Sequence, residues 1–357
     1  MSRDRTYGFA IVGAGVIGRI HGTVINALPN ARLEAVVDVI PDRAETLAAE
    51  AGAVAFTELD DVLAMPAVEI ISVCVPSGLH AEIGVRAARA GKHLVVEKPI
   101  DVSLAAADRL IDACHTAGVK LTVISQRRFD DSFRSVHDRI LQHGLGDLIL
   151  ASAKLKWYRS QEYYDSGDWR GTWDLDGGGV LMNQGVHYID LLRWMLGPVE
   201  SIAAVCATKG HTGIEVEDIA LAIIRFSSGA LASIDASTAV FPGLPERLEL
   251  TGTEGTAVIE AGVLTLFVTR DSKAPPTPVA DADQLTAAAD PTSVATSGHA
   301  SQLADFLAAI ETEREPSVTG EDGRAAIEVI LGVYEAARRG VEVRLPLSPA
   351  SRAGLLQ

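Results

Sequence analysis

From Tyr7 to about Ile124, short runs of β-branched and other apolar residues alternate with alanine-rich stretches of helical period. The runs are FAIVG, RLEAVVD, EIISVCVP, HLVVEKP and KLTVI. The stretches between them are Val16 to Leu28, Asp42 to Glu50, His80 to Ala90 and Ser103 to Ala117. The runs are continuously apolar, as strands covered on both faces are. This pattern predicts a doubly wound parallel α/β sheet of Rossmann type over residues 1–125.

After Arg128 the pattern changes. A helix is expected from about Asp131 to His143, a strand from Leu148 to Lys156, and a loop rich in Gly, Asp and Trp from Tyr158 to Gly179. A second helix follows from roughly Val180 to Leu196. Six shorter runs come next, SIAAVCAT, DIALAIIRF, ALASIDAS, RLELTG, GTAVIE and VLTLFVT, with SSG, PGLP and GTEG among the turns. Successive short strands of this kind predict a largely antiparallel sheet with helices on one face. Residues 271–296, rich in Pro, Ala, Asp and Thr, read as a surface excursion. Helices from about His299 to Glu313 and Gly320 to Arg339 close a second α/β domain assigned to residues 126–345. The segment 320–340 is a candidate to pack back on the first domain.

Charge and composition narrow the partners. The formal net charge is −16, so nucleic acid is not expected. With 48% hydrophobic and 22% charged residues there is material for a full core and no case for disorder. The cysteines, Cys74, Cys114 and Cys206, are odd in number and far apart, so neither a disulfide framework nor a cysteine-rich zinc site is expected. A reducing compartment fits. The start, MSRDRTYGFAIVGAGVIG, has arginines before an apolar run, but glycines interrupt it and no cleavage site follows. No stretch approaches the roughly 18 apolar residues of a membrane helix. The expectation is a cytoplasmic protein.

Gly13, Gly15, Val16, Ile17 and Gly18 belong to GAGVIG, which follows the first strand and opens the first helix. Such a turn allows close backbone approach to a pyrophosphate, and the helix N-terminus offers it N–H groups. Asp38 ends the next strand, where a carboxylate accepts hydrogen bonds from ribose hydroxyls and repels a 2′-phosphate, so NAD is expected over NADP. Arg43 is the one nearby group that softens that preference.

Val75, Pro76, Ser77 and His80 of VPSGLH, and Glu97 and Lys98 of EKP, also stand at carboxyl ends of strands, where an open parallel sheet binds its ligand. Lys98 has two readings: an ammonium that contacts a ribose and a reacting oxygen, or a surface lysine paired with Glu97. In the helix after Gly177, Gly178 and Gly179, Asn183 and His187 are four apart and share a face, with Asp190 extending the stripe. An imidazole is a natural acceptor for an alcohol proton near neutral pH, although a lone histidine on an apolar helix also reads as a hydrogen-bonded core residue. Asp190 reads equally as a group that orients His187 or one that stabilises the interior. His21, His80 and His211 show no ligand spacing, so no metal is expected.

GAGVIG, VPSGLH, EKP, SQRRF, GDWR, GGGVLMNQGVHYIDLLRWMLG and EPSVTGEDGRAAIEVILGVYEAARRG, in this order, resemble the glucose-fructose oxidoreductase/inositol dehydrogenase (Gfo/Idh/MocA) family over nearly the whole chain. The resemblance implies a Rossmann domain plus an α/β domain with an open mixed sheet that commonly mediates homodimers or homotetramers. It makes Lys98 the EKP lysine that touches substrate and nicotinamide ribose, with a cis bond to Pro99, and His187 the general base. It places Gln126 near the nicotinamide, Arg128 beyond it, and Trp169 and Arg170 as a pair reaching substrate or cofactor. Tyr158, Tyr163 and Tyr164 are candidate pocket-lining rings or ordinary loop aromatics. Many sugar and inositol dehydrogenases of the family carry aspartate where this chain has Asn183; asparagine holds a hydroxyl but relays no proton, and members with asparagine there resemble sugar-3-dehydrogenases.

The expected function is hydride transfer between NAD and a ring secondary hydroxyl or ketone of a sugar, sugar derivative or inositol. Lys98, His187 and Asn183 are the catalytic group. Lys98, Arg128, Tyr158, Trp169, Asn183 and His187 contact substrate. The alternatives are a redox-neutral, NAD-dependent glycoside hydrolase or epimerase, and a non-enzymatic NAD or sugar sensor of the same fold.

Overall fold

A computed structural model describes residues 5–272 and 296–348. The chain forms two compact units, the first from residues 1–126 and 295–324, the second from residues 127–294 and 325–357.

The first unit is built on six parallel strands, β1 (Tyr7–Val12), β2 (Ala31–Val37), β3 (Val54–Phe56), β4 (Ile70–Val73), β5 (His93–Val96) and β6 (Leu121–Val123). Their spatial order is β3-β2-β1-β4-β5-β6. The order reverses between β1 and β4, and in such sheets the ligand crevice opens beyond the carboxyl ends at that switch point. Helices α1 (Val16–Ala27), α2 (Pro41–Ala51), α3 (Leu59–Leu63), α4 (His80–Arg89) and α5 (Leu104–Ala117) connect the strands. Ser103 caps α5 by accepting the N–H of Ala106 at 3.2 Å, and Gly118 ends it in the left-handed conformation.

β3 and α3 go beyond the sequence expectation, because three and five residues are too few to show a period. The helix that returns to this unit also differs from expectation. It is α9 (Ser297–Glu311), whose Leu303, Phe306 and Leu307 are fully buried in one cluster with Phe9, Ile11, Ile25 and Leu33. Each such side chain contributes about 1.5–3 kcal/mol on burial. Of the last helix, α10 (Gly320–Arg339), only the first turn belongs to this unit.

The second unit contains an eight-stranded mixed sheet. Its strands are β7 (Leu148–Lys156), β8 (Val199–Ala207), β9 (Ile219–Phe226), β10 (Leu231–Ser237), β11 (Arg247–Gly252), β12 (Gly255–Glu260), β13 (Val263–Thr269) and β14 (Val343–Arg344), in the order β13-β12-β11-β7-β10-β9-β8-β14. Among the described residues of this sheet, only β7 and β10 pair in parallel. Along β9 burial alternates strictly, with Ala220, Ala222, Ile224 and Phe226 inward and Leu221 and Ile223 outward. That outward face carries an apolar patch bordered by charged residues such as Arg225 and Asp235: Val205 is 68% exposed, Leu221 50% and Ile223 63%, and the three lie on adjacent strands with Val205 opposite Leu221. Helices α6 (Asp131–Leu141), α7 (Gln161–Asp165), α8 (Val186–Leu196) and the remainder of α10 belong to this unit. The surface excursion expected at 271–296 falls almost entirely outside the described residues.

Candidate active site

In the first unit the sequence-predicted cofactor residues gather at the carboxyl ends of the strands. Gly13 adopts φ +100°, and a Cβ there would stand 2.5 Å from the Cys74 carbonyl oxygen. At Gly15, by contrast, an added Cβ meets nothing within 4 Å, so the protein's own packing does not require this glycine and the turn stays open to the close approach of a ligand. Val16 is exposed and Ile17 half-buried in the first turn of α1. Asp38 is tied to this turn: Oδ2 accepts the N–H of Ala14 at 2.8 Å and Oδ1 that of Ile40 at 2.9 Å. A carboxylate offers about four lone-pair positions, so two backbone bonds leave capacity for ribose hydroxyls.

The loop after β4 keeps Val75 and Pro76 half-buried and Ser77 buried. His80 behaves differently from a ligand-facing residue. It is fully buried, with Nδ1 2.7 Å from the Pro99 carbonyl and Nε2 2.9 Å from the Val75 carbonyl, so it braces the VPSGLH and EKP turns against each other.

Glu97 also points inward. Its Oε1 lies 2.9 Å from His21 Nε2 and 3.8 Å from His299 Nε2, its Oε2 accepts the N–H of Lys98 at 3.1 Å, and His21 Nδ1 reaches Ser72 Oγ at 2.7 Å. Burial by itself raises the Glu97 pKa, but the adjoining His21 and His299 imidazoles together outweigh it and hold the carboxyl well below its usual value. These three residues form a group of metal-ligand type, with ligating atoms within 4.8 Å of one another. Local spacing conceals it, because His299 comes from α9. Lys98 remains half-buried at the end of this pinned turn, and the Lys98–Pro99 bond is cis.

Gln126 ends the first unit, and its buried Oε1 has no hydrogen-bond partner among the described residues. Native proteins rarely leave a buried polar atom unpaired, and a ligand amide would satisfy this one. The open glycine turn, the Asp38 carboxylate and the orphaned Gln126 oxygen together fit a nicotinamide dinucleotide.

In the second unit, the glycine triplet is explained by packing. A Cβ on Gly179 would lie 1.6 Å from the Glu217 carbonyl oxygen. The buried Glu217 carboxylate accepts the N–H groups of Gly179 at 2.8 Å and Leu181 at 2.9 Å, and the Tyr334 hydroxyl at 2.9 Å. Burial nonetheless dominates and pushes its pKa up to about 7. The helix expected from Val180 opens as a π-helical turn, Leu181–Gly185, before α8; such turns recur at functional sites. Within residues 181–190 only Asn183 and His187 are not buried, so this stretch has one accessible edge made of the two residues expected to act.

Asp190 is buried and bonded to Arg128: Nε donates to Oδ2 at 2.8 Å and Nη2 to Oδ1 at 2.5 Å. This geometry favours the interior-stabilising reading of Asp190. Arg128, expected to contact substrate, is thus buried with its guanidinium bonded to α8 and 5.6 Å from the centre of the Trp194 ring.

Arg170 lies over Tyr163 at 4.2 Å and Trp169 at 4.5 Å, a stacked group of accessible, partly apolar surface. Burial raises the Tyr163 pKa. Tyr158 packs edge-to-face on the exposed Phe241. Tyr164 is a core residue whose hydroxyl bonds Thr238 Oγ1 at 2.9 Å. One contact was not anticipated from sequence: Asn183 Nδ2 donates to Asp176 Oδ1 at 3.0 Å.

Comparison with known proteins adds to this geometry. Residues 7–125 match the model of an oxidoreductase family with an NAD-binding Rossmann fold, and residues 133–258 match the GFO/IDH/MocA C-terminal domain. Inositol 2-dehydrogenase of Rhizobium meliloti (strain 1021) is 28% identical, over 97% of this chain and 100% of that protein. 1,5-Anhydro-D-fructose reductase of Ensifer adhaerens is 30% identical, over 93% of this chain and 96% of that protein. The crystal structure of the WlbA dehydrogenase from Bordetella pertussis, in complex with NADH and UDP-GlcNAcA, is 31% identical with a TM-score of 0.86, covering 96% of this chain and all of that one.

Proposed function

Because the chain belongs to the Gfo/Idh/MocA oxidoreductase family, we propose that it is an NAD-dependent dehydrogenase that interconverts a ring secondary hydroxyl and the corresponding ketone in a sugar, sugar derivative or cyclitol. The observation that carries this reading is the accessible edge formed by Asn183 and His187 on an otherwise buried segment. Relatives named as an inositol dehydrogenase and an anhydrosugar reductase, and a similar structure holding NADH with a nucleotide sugar, support the same chemistry.

NAD, when bound, supplies the hydride acceptor. Gly13, Gly15, Gly18 and the N–H groups opening α1 hold the pyrophosphate, Asp38 the adenosine ribose, and Gln126 the nicotinamide amide. His187 takes the substrate hydroxyl proton, and the Lys98 ammonium stabilises the oxygen as negative charge develops on it. Asn183 holds a neighbouring hydroxyl, and Trp169, Arg170 and Tyr158 supply stacking and polar contacts. Arg128 acts on none of these atoms and keeps α8 in place through Asp190.

Among the described residues no helix is long and apolar enough to cross a membrane. Free thiols at Cys74, Cys114 and Cys206 support a cytoplasmic location. The apolar patch of Val205, Leu221 and Ile223 on the second sheet supports a homodimer or homotetramer built through that sheet.

The test is NADH formation across inositols, aldoses, glycosides and nucleotide sugars, with NAD and NADP in parallel. NAD-linked turnover is expected. Silence across the panel by a protein that binds NAD calorimetrically overturns the reading in favour of redox-neutral or sensing roles.

A further inference from the structure

The loop before the glycine triplet lays a carboxylate directly on Asn183. Asp176 is buried; its Oδ2 accepts the N–H of Gly171 at 2.9 Å, and its Oδ1 accepts from Asn183 Nδ2 at 3.0 Å. An ionised carboxylate accepts hydrogen bonds and donates none, so only the amino end of the Asn183 amide can face it. The two ends of an amide are set by their hydrogen-bond network, and here Asp176 turns Nδ2 inward and Oδ1 away.

We propose that Asp176 is a positioning residue for the reaction assigned above: it fixes the Asn183 amide so that the residue sharing an accessible edge with His187 presents a carbonyl oxygen. The inference rests on the dehydrogenase reading and deepens it. A pinned carbonyl oxygen accepts a hydroxyl hydrogen, so the site selects ring compounds that carry a hydroxyl donor beside the reacting carbon, and disfavours the analogue in which that hydroxyl is absent or methylated.

The geometry makes the pair reversible in a specific way. In Asp176→Asn, the new amide must turn its oxygen toward the Gly171 N–H and its amino group toward Asn183. Two amino groups then meet, so Asn183 turns over and presents a donor in place of an acceptor. In Asn183→Asp, two carboxylates meet at hydrogen-bond distance, where both cannot remain ionised without strong repulsion. In the double variant, residue 176 accepts from Gly171 through its oxygen and donates to residue 183 through its amino group, which restores both bonds and an outward acceptor.

Two measurements on the full chain test this. In spectra of isotope-labelled protein, the Asn183 side-chain amide pair is identified by its loss in Asn183→Asp. It should shift and exchange faster in both Asp176→Asn and Asp176→Ala. With NAD, and myo-inositol or UDP-GlcNAcA as the probe, each single variant should lose about tenfold or more in kcat with NAD affinity unchanged, and the double variant should regain about tenfold over Asn183→Asp. An amide pair unmoved by both Asp176 variants overturns the proposal, as does a double variant no better than the poorer single one. If the wild-type chain turns over neither probe, the dehydrogenase assignment with these substrates fails, and the amide spectra still decide the role of Asp176.

Discussion

Glu217 accepts the backbone N–H of Gly179 at 2.8 Å from a position where its own carbonyl leaves no room for a side chain on that glycine. A buried carboxylate thus anchors the entry to the segment that carries Asn183 and His187. Its pKa stands at about 7 against an ordinary value of 4.5, because burial outweighs the hydrogen bonds it receives.

Stability should therefore fall with rising pH through this group. Between 4.5 and about 7 the native state keeps a proton that the unfolded chain has released, so the contribution is fully present below the lower value and lost above the upper one. The total is on the order of 3 kcal/mol. Thermal melts from acid to mildly alkaline pH should show the wild-type Tm declining relative to Glu217→Gln; parallel curves would remove Glu217 as the cause.

Gly179→Ala and Gly15→Ala should separate folding from binding. The first drives a methyl into the Glu217 carbonyl and should cost several kcal/mol, on the order of a severe core substitution, seen as a large drop in Tm. The second meets only open space and should leave Tm within a degree or two while weakening NAD binding about tenfold in calorimetry. Equal effects of both changes on Tm would contradict this division.

Asp38→Ser should weaken NAD binding by roughly tenfold and narrow the gap between NAD and NADP, since it removes both the ribose acceptor and the repulsion of a 2′-phosphate. Paired calorimetric titrations with the two cofactors read the ratio directly. An unchanged ratio would place cofactor choice elsewhere, with Arg43 the next residue to replace.

His187→Ala should lower kcat by about a thousandfold or more with NAD affinity nearly intact, as expected for loss of a general base. Loss of NAD binding together with Tm would mark His187 as a structural residue.

If the homo-oligomer proposed above is built through this sheet, Ile223→Lys should give smaller species by light scattering, because it places a charge in the exposed apolar patch with Leu221 and Val205. A molecular mass that does not respond would exclude this face as the interface.

The first sheet was readable in the sequence because strands buried on both faces lack the alternation that other segments show. The glycine turn and the position of Asp38 at the end of β2 were readable because both follow from spacing along the chain, and Asp38 closes on the turn through the N–H of Ala14. What lay hidden was non-local or too short. β3, with three residues, shows no period, and a five-residue π turn does not separate from an α-helix by apolar spacing. The i, i+4 relation put Asn183 and His187 together correctly but left open what stood behind each. Asn183 meets Asp176 from the loop, and Asp190, further along the same stripe, meets Arg128 from before α6. His299 joins Glu97 from α9, a helix whose return to the first unit no local pattern announces.

The burial of every residue but two between Leu181 and Asp190 limits how this protein can diversify. Changes at the eight enclosed positions are filtered by folding before they are filtered by chemistry. In the dehydrogenase proposed above, new substrate preferences are then expected at Asn183 or in the loop from Tyr158 to Asp176, where Tyr158, Trp169 and Arg170 retain accessible surface. A library aimed at altered sugar selectivity is best spent on that loop, with the helix left as inherited.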